Sequence, residues 1–394
     1  MYEVKIERLD HLGRGIGYIE NKITFIPNTL PSELVVCQIV KERKKYKVGK
    51  LIEIIEPSKK RVTPFCPFYN HCGGCHLEHL NYEASLEYKE EKVKNIFKLD
   101  KVEVIKNEHP KNYRNKITLK VRNKKIGFYE SKTNTLVEIK ACFLANESIN
   151  EIIKRLNKLN IKNGEIIIRC NTNQEILLMI NTKEEIKFIE EEFKGIKLVG
   201  VLLNNQTLYG QNFFYERIHG LLFKISYDAF FQINPYIVDK LFGLIEQELE
   251  ASKTILDLYS GVGTLGMVAS NKAEKVISIE LIKNAVLDNI QNAKLNKKTN
   301  IYPVLGDASQ ALSKIKEPFD FIMVDPPRKG LDKSSLTLLL KSKAKKIIYI
   351  SCDPMTLKRD LEELKKEYNI EKFYILDMFS YTYHIESFCV LKKK

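Results

Sequence analysis

The chain has 394 residues and a mass of 45.8 kDa, which at roughly 150 residues per domain points to two or three domains and excludes a single small module. Hydrophobic residues make up 44% and charged residues 29%, and no run approaches the ~18 unbroken apolar residues of a membrane span, which excludes a membrane protein. Against 50 Asp+Glu stand 64 Lys+Arg, a net charge of +14 with a pI near 9.1, a balance suited to a polyanionic partner such as nucleic acid.

The N-terminal MYEVKIERLD has neither an apolar signal core nor an Arg/Ser-rich transit pattern, so a cytoplasmic protein is expected. Over residues 1–62 the short alternating runs VKIERL, GIGYIE, KITFIP, LVVCQIV and VGKLIEII, punctuated by Gly13, Gly15, Gly17, Pro27 and Pro31, predict a small β-barrel. Lys41, Arg43, Lys44, Lys45 and Lys47 crowd around Tyr46 in one hairpin. An oligonucleotide-binding barrel would use such a surface, although a solvated lysine-rich turn has the same composition.

Residues 63–215 read as a central α+β domain. Three of the 8 cysteines fall within CPFYNHCGGC, as Cys66, Cys72 and Cys75, a crowding that points to metal. His71, His76 and His79 lie among them, so a Cys/His zinc site is the reading of the spacing alone. A helix is expected from about Tyr82 to Lys98, then an amphipathic one in NESINEIIKRLNKL. YRNKITLKV is expected as a strand, either an ordinary exposed one or one whose Arg114, Asn115 and Lys116 contact phosphate or help displace a base.

From residue 216 to 394 strands and helices alternate: TILDLY, KVISIE, NIYPVL, FDFIMVD and KIIYISCD, with KFYILDMF and SFCVLKK as a closing pair. That order specifies a doubly wound α/β sheet, which binds ligands at the carboxyl ends of its strands. DLYSGVGTLG places Gly261, Gly263 and Gly266 between a strand and a helix, and Glu280 ends the next strand where it can accept from two ribose hydroxyls. Both features fit NAD and S-adenosylmethionine equally. The turn Asp325-Pro326-Pro327 separates the two, because a rigid, donor-poor turn beside an adenosyl pocket suits methyl transfer to a planar nitrogenous substrate and has no use in hydride transfer.

Cys352, in YISCDP, ends the fifth strand at the same edge. A thiolate there has a use on a pyrimidine, whose C5 becomes nucleophilic once a nucleophile has added to C6, and a base must then remove H5. His384 and Glu386, two apart in YTYHIESF, point to one face of an extended segment, and either is a candidate for that base.

SCDP with Cys352, HIES with Glu386, DPPRKG with Asp325 and FFQINP with Gln232 together resemble the RNA 5-methyluridine methyltransferases over the whole chain. GRGIGYIE and its neighbours look like the TRAM module of the 23S ribosomal RNA members, and CPFYNHCGGC with KACFL resembles their iron–sulfur segment. The resemblance implies a monomeric chain with a class I methyltransferase sheet that methylates C5 of a uridine in RNA, 23S rRNA being the expected target. It makes Cys352 the nucleophile and Glu386 the base, and assigns Gln232, Tyr259, Thr264, Glu280, Asp307 and Asp325 to the S-adenosylmethionine pocket. Family members often carry an asparagine where Thr264 stands. Cys66, Cys72, Cys75 and Cys142 would hold a [4Fe-4S] cluster, with zinc the chemical alternative for an all-sulfur set.

Two other functions compete. An amino-methyltransferase acting on adenine or guanine needs no thiol and follows its DPP turn with an aromatic, whereas Arg328 follows here. A non-catalytic, metal-stabilised RNA-binding protein would have no need of Cys352 and Glu386.

Overall fold

The structure, a computed structural model, describes residues 1–315 and 318–394. The N-terminal alternation folds as a six-stranded sheet around Val4, Ile6, Ile19, Ile26, Val35 and Cys37. It curls until the strand Gly15–Ile19 lies against Tyr2–Lys5, an approach that only glycine allows, since a Cβ on Gly17 would lie 2.6 Å from the Lys5 carbonyl oxygen. The barrel-like module is thus closed by packing.

The central region forms a seven-stranded sheet whose inner strands are Lys116–Arg122, Asn163–Cys170 and Ile176–Asn181. Its alternate residues Ile117, Leu119 and Val121 meet Ile166 and Ile168 in a separate apolar core. The amphipathic stretch after Asn146 is helical only over Glu147–Ile153 and tightens into a 3-10 turn at Leu156–Leu159.

The C-terminal half holds an eight-stranded sheet in the order Ile301–Leu305, Ala273–Glu280, Ser252–Leu258, Phe321–Val324, Lys346–Ser351, Glu386–Lys393, Tyr368–Leu376, Glu103–Ile105. The first five strands run parallel, and the closing pair is antiparallel, with Glu386–Lys393 inserted beside Lys346–Ser351. Helices cover both faces over two apolar cores.

Two elements depart from the division expected at residues 63 and 215. Glu103–Ile105 extends the eight-stranded sheet in parallel with Tyr374–Leu376, and the preceding helix Tyr82–Phe97 packs Val93 and Phe97 into that sheet's core. Residue 215 falls inside the strand Phe213–Ile218, which pairs with Leu221–Ser226 as a separate hairpin. The hairpin's outer edge is satisfied by side chains of the helix Lys283–Leu295 and its cap: Ser226, Lys224 and Leu222 donate backbone N–H groups to Asp288, Asn292 and Asn296 at 2.7, 2.6 and 2.9 Å. Side chains spaced i, i+4, i+8 along one helix face therefore replace a neighbouring strand. Among the described residues no helix is long and apolar enough to cross a membrane.

Candidate active site

The parallel strands deliver the expected cofactor residues to one edge. After Ser252–Leu258 the chain turns through Tyr259, Gly261 and Gly263, all at positive φ (61°, 54° and 88°), before the helix that Thr264 opens. Glycine is required at 263, where a Cβ would collide with Asn289 Oδ1, while Tyr259 holds the left-handed conformation despite its side chain. The Glu280 carboxylate accepts from the Gly261 N–H at 2.9 Å and the Ile282 N–H at 2.8 Å, which fixes its orientation beside the glycine turn. Tyr259 reaches Ser335 Oγ at 3.4 Å. Asp307 caps the helix that follows it, accepting from Ser309 and Gln310, which holds its carboxyl below the usual range.

Asp257, which the sequence reading passed over although it stands first in DLYSGVGTLG, lies beside the expected cofactor residues. It is fully buried under the glycine turn, accepts from the Gly266 N–H at 3.0 Å through one oxygen, and has no hydrogen-bond partner for the other. Burial pushes its pKa up to about 8. An orphaned carboxyl oxygen beneath a glycine-rich turn, with Glu280 beside it, fits a cofactor carrying a ribose and a cationic centre.

The residues expected to carry the reaction lie alongside. Register pairs Ser351 with Ser387, so Cys352 and Glu386 come next in line at the same end of two adjacent strands. Asp325 follows Phe321–Val324 and receives the Gln232 side-chain amide at 3.3 Å. Burial raises Asp325 to about 7, the Gln232 amide opposing the shift. Burial, with Asp325 adding to it, raises Glu386 well above the carboxylate range, while Arg328 opposes. Burial and the neighbouring Glu386 push the Cys352 thiol up to about 11, against which Arg328 acts by charge and hydrogen bond. Arg328, read from sequence only as a missing aromatic, is therefore the cation of the site. Its turn is fastened by the helix Pro354–Leu364: Arg359 donates to the Lys329 and Leu331 carbonyls at 3.0 Å, and Thr356 to the Arg328 carbonyl at 3.1 Å.

His384 lies in the loop before Glu386, and burial with nearby Arg328 depresses its pKa to about 3. The two shifts run in opposite directions, lowering the basicity of His384 and raising that of Glu386.

Gln232 is held by the central sheet. Asn115 donates its side-chain amide to the Gln232 carbonyl at 3.1 Å and its N–H to the Ile233 carbonyl at 3.0 Å. Arg169, 2% exposed, donates through one nitrogen to the Ser226, Tyr227 and Ala229 carbonyls at 3.2, 3.2 and 2.9 Å. Neither Asn115 nor Arg114 serves as the exposed phosphate contact expected of YRNKITLKV. Asn115 is 8% exposed, and Arg114 lines a cavity among the cysteines with a buried, unpartnered Nε.

That cavity, about 100 Å³, brings together Cys66, Cys72, Cys75 and Cys142 between the rings of Phe68 and Phe128. All four thiols are free. Burial raises Cys66 to about 11 and Cys75 well above its ordinary value, while the Phe68 and Gly74 N–H groups favour the thiolates of Cys66 and Cys72. The Asn150 side chain clasps Cys142 through both its backbone N–H (2.9 Å) and carbonyl (3.1 Å). The Cys/His reading of the spacing is corrected: His79 bonds Tyr69 at 2.6 Å, His76 packs on Tyr383 at 4.3 Å, and neither these nor His71 lines the cavity. Among the described residues no three His, Cys, Asp or Glu side chains form a group able to hold a metal ion.

The cysteine segment touches the edge of Cys352 and Glu386 through residues 377–385. The Tyr381 carbonyl accepts from the N–H groups of His76 and Leu77, both at 3.0 Å, and Tyr381 packs beside Cys75 and Cys142. Helix Tyr82–Phe97 secures the same loop through the buried ion pair Lys89–Asp377 (2.6 Å) and through Tyr82, which donates to Asp377 at 2.7 Å.

With this geometry in hand, the family described as tRNA (uracil-5-)-methyltransferase matches residues 181–394, and the TRAM domain matches residues 1–52. An uncharacterized RNA methyltransferase of Clostridium acetobutylicum is 35% identical across 100% of this chain and 97% of its own length. Another, of Caldanaerobacter subterraneus, is 34% identical across 100% and 98%. Among solved structures, the Pyrococcus abyssi tRNA (uracil-54, C5)-methyltransferase in complex with S-adenosyl-L-homocysteine superposes with a TM-score of 0.84 at 26% identity, covering 99% of this chain and 100% of that one.

Proposed function

We propose, for a chain that belongs to the tRNA (uracil-5-)-methyltransferase family and is an S-adenosylmethionine-dependent RNA (uracil-C5-)-methyltransferase, that Cys352 and Glu386 carry the reaction through a covalent adduct with the base. The juxtaposition of Cys352, Glu386, Arg328 and Asp325 at one sheet edge carries this reading. Arg328 stabilises the Cys352 thiolate, which adds to C6 of the uracil and makes C5 nucleophilic. S-adenosylmethionine, when bound, supplies the methyl group to C5. Glu386, kept basic by burial and by Asp325, then takes H5, and the electron pair left behind expels the Cys352 thiolate. Gln232, Tyr259, Thr264, Glu280, Asp307 and Asp325 are proposed to line the cofactor pocket, with Asp257 beneath it.

Glu386→Gln keeps size and hydrogen bonding but cannot take the proton, so methylated RNA should accumulate joined to Cys352. A denaturing gel with substrate RNA and S-adenosylmethionine should show the shifted band, and Cys352→Ala should abolish both the band and turnover. Free turnover in Glu386→Gln, with the adduct trapped instead by His384→Asn, would reverse the two roles.

The TRAM domain together with a four-cysteine set resembles the 23S rRNA members and supports 23S rRNA as the target. Transfer RNA is the second reading, favoured by the full-length match to the Pyrococcus abyssi tRNA enzyme. Mass spectrometry of rRNA and tRNA from cells lacking the protein separates them by which pool loses 5-methyluridine. The enzyme is proposed to be cytoplasmic and monomeric, as the same resemblance implies.

Cys66, Cys72, Cys75 and Cys142 are proposed to hold a [4Fe-4S] cluster. The four cysteines line one cavity together with Arg114, whose guanidinium would offset the cluster's negative charge, and the resemblance to the iron–sulfur members favours the cluster over zinc. Anaerobically purified protein should be brown and contain iron and sulfide; colourless protein with one zinc would overturn the assignment.

A further inference from the structure

A second and larger cleft, of about 660 Å³, lies between the central sheet and the helix Pro235–Glu248. It is lined by Asn115, whose amide holds the Gln232 carbonyl, and by Pro235, three residues after Gln232. Inside it Tyr236, 45% exposed on the first turn of the helix, packs against the His109 ring at a centroid distance of 4.5 Å. The charges of the lining offset one another. Lys240 pairs with Glu108 at 3.5 Å, and His219 bonds Asp239 at 3.1 Å. A balanced, polar wall around an aromatic face suits a neutral planar heterocycle better than a phosphate, and the exposed Arg217 in the same lining can meet the phosphate attached to it. The volume is within the range of pockets that enclose one nucleotide-sized ligand.

We propose that this cleft receives an unpaired nucleobase of the RNA substrate, other than the uridine that is methylated, stacked on Tyr236. The proposal rests on the RNA uracil-C5 reading above. Stacking on an aromatic ring is independent of base identity, so the cleft adds hold on a single-stranded segment and leaves the choice of methylated base to the Cys352 edge. A base docked beside Asn115 also lies against the residue that supports Gln232, so RNA seating and cofactor pocket share one wall.

The test uses the full chain, with RNA from cells lacking this protein as methyl acceptor. Tyr236→Ala should raise the KM for RNA about tenfold while the KM for S-adenosylmethionine and the thermal midpoint stay at wild-type values. Tyr236→Phe, which keeps the ring, should restore the RNA KM. Ultraviolet crosslinking followed by peptide mass spectrometry should find RNA on the peptide carrying Tyr236 or His109. An unchanged RNA KM in Tyr236→Ala overturns the proposal, and a Phe variant as impaired as Ala overturns the stacking. If the wild-type protein transfers no methyl group to any RNA, the underlying reading fails and takes this one with it, a result distinct from a failure of Tyr236 alone.

Discussion

Cys352 sits under opposing influences. Burial and Glu386 raise its pKa to about 11, and Arg328 draws it down. Raising a thiol in this way lowers its thiolate fraction near neutral pH, so its reactivity should climb with pH. The rate of alkylation by iodoacetamide, read on the Cys352 peptide by mass spectrometry, should rise about tenfold per pH unit between pH 7 and 9. Arg328→Ala removes the neighbouring cation and should slow alkylation several-fold at fixed pH. Equal rates in the wild-type and Arg328→Ala proteins would mean that Arg328 does not govern the thiol.

At the scale of elements, the segment carrying Gln232 is fastened at both ends by the central sheet, by Arg169 at residues 226–229 and by Asn115 at residues 232–233, leaving only Phe230 and Phe231 between the holds. Asn115→Ala loses a side-chain hydrogen bond and should weaken S-adenosylhomocysteine binding by about 1 kcal/mol, roughly fivefold, measured by calorimetry. An unchanged affinity would remove Asn115 from this role. Neither hold was legible in the sequence, because a buried arginine meeting carbonyls some 60 residues away leaves no local pattern. Cys352, Asp325 and Glu280 were legible, since each ends a run of apolar residues and strand ends in a parallel sheet converge on one edge. Asp257 was hidden within its strand, and Arg328 was overlooked because its effect on Cys352 exists only once two strands are paired. The place of helix Tyr82–Phe97 was hidden too, its link to the catalytic sheet being a strand of three residues.

For the whole molecule, the net charge of +14 matters through where it is exposed. The barrel hairpin was expected to present Lys41, Arg43, Lys44, Lys45 and Lys47 together, and the first four are exposed. Lys47 is not. Register pairs it with Thr24, turning its side chain inward to 2% exposure, where it bonds Glu20 at 2.5 Å and lies 5.5 Å from the Tyr2 ring centroid. The two groups therefore separate experimentally. Each phosphate neutralised on a single strand contributes about 0.7 to the slope of log K against log salt, so replacing Arg43, Lys44 and Lys45 by Ala should reduce that slope by up to about 2. Lys47→Ala should leave the slope alone and lower the thermal midpoint instead, because it removes a barrel contact and no exposed charge. RNA binding measured across a salt series for both variants decides the matter. A slope unchanged in the triple variant would make the hairpin an ordinary solvated turn, and the RNA-binding charge would then have to lie on the central and catalytic faces.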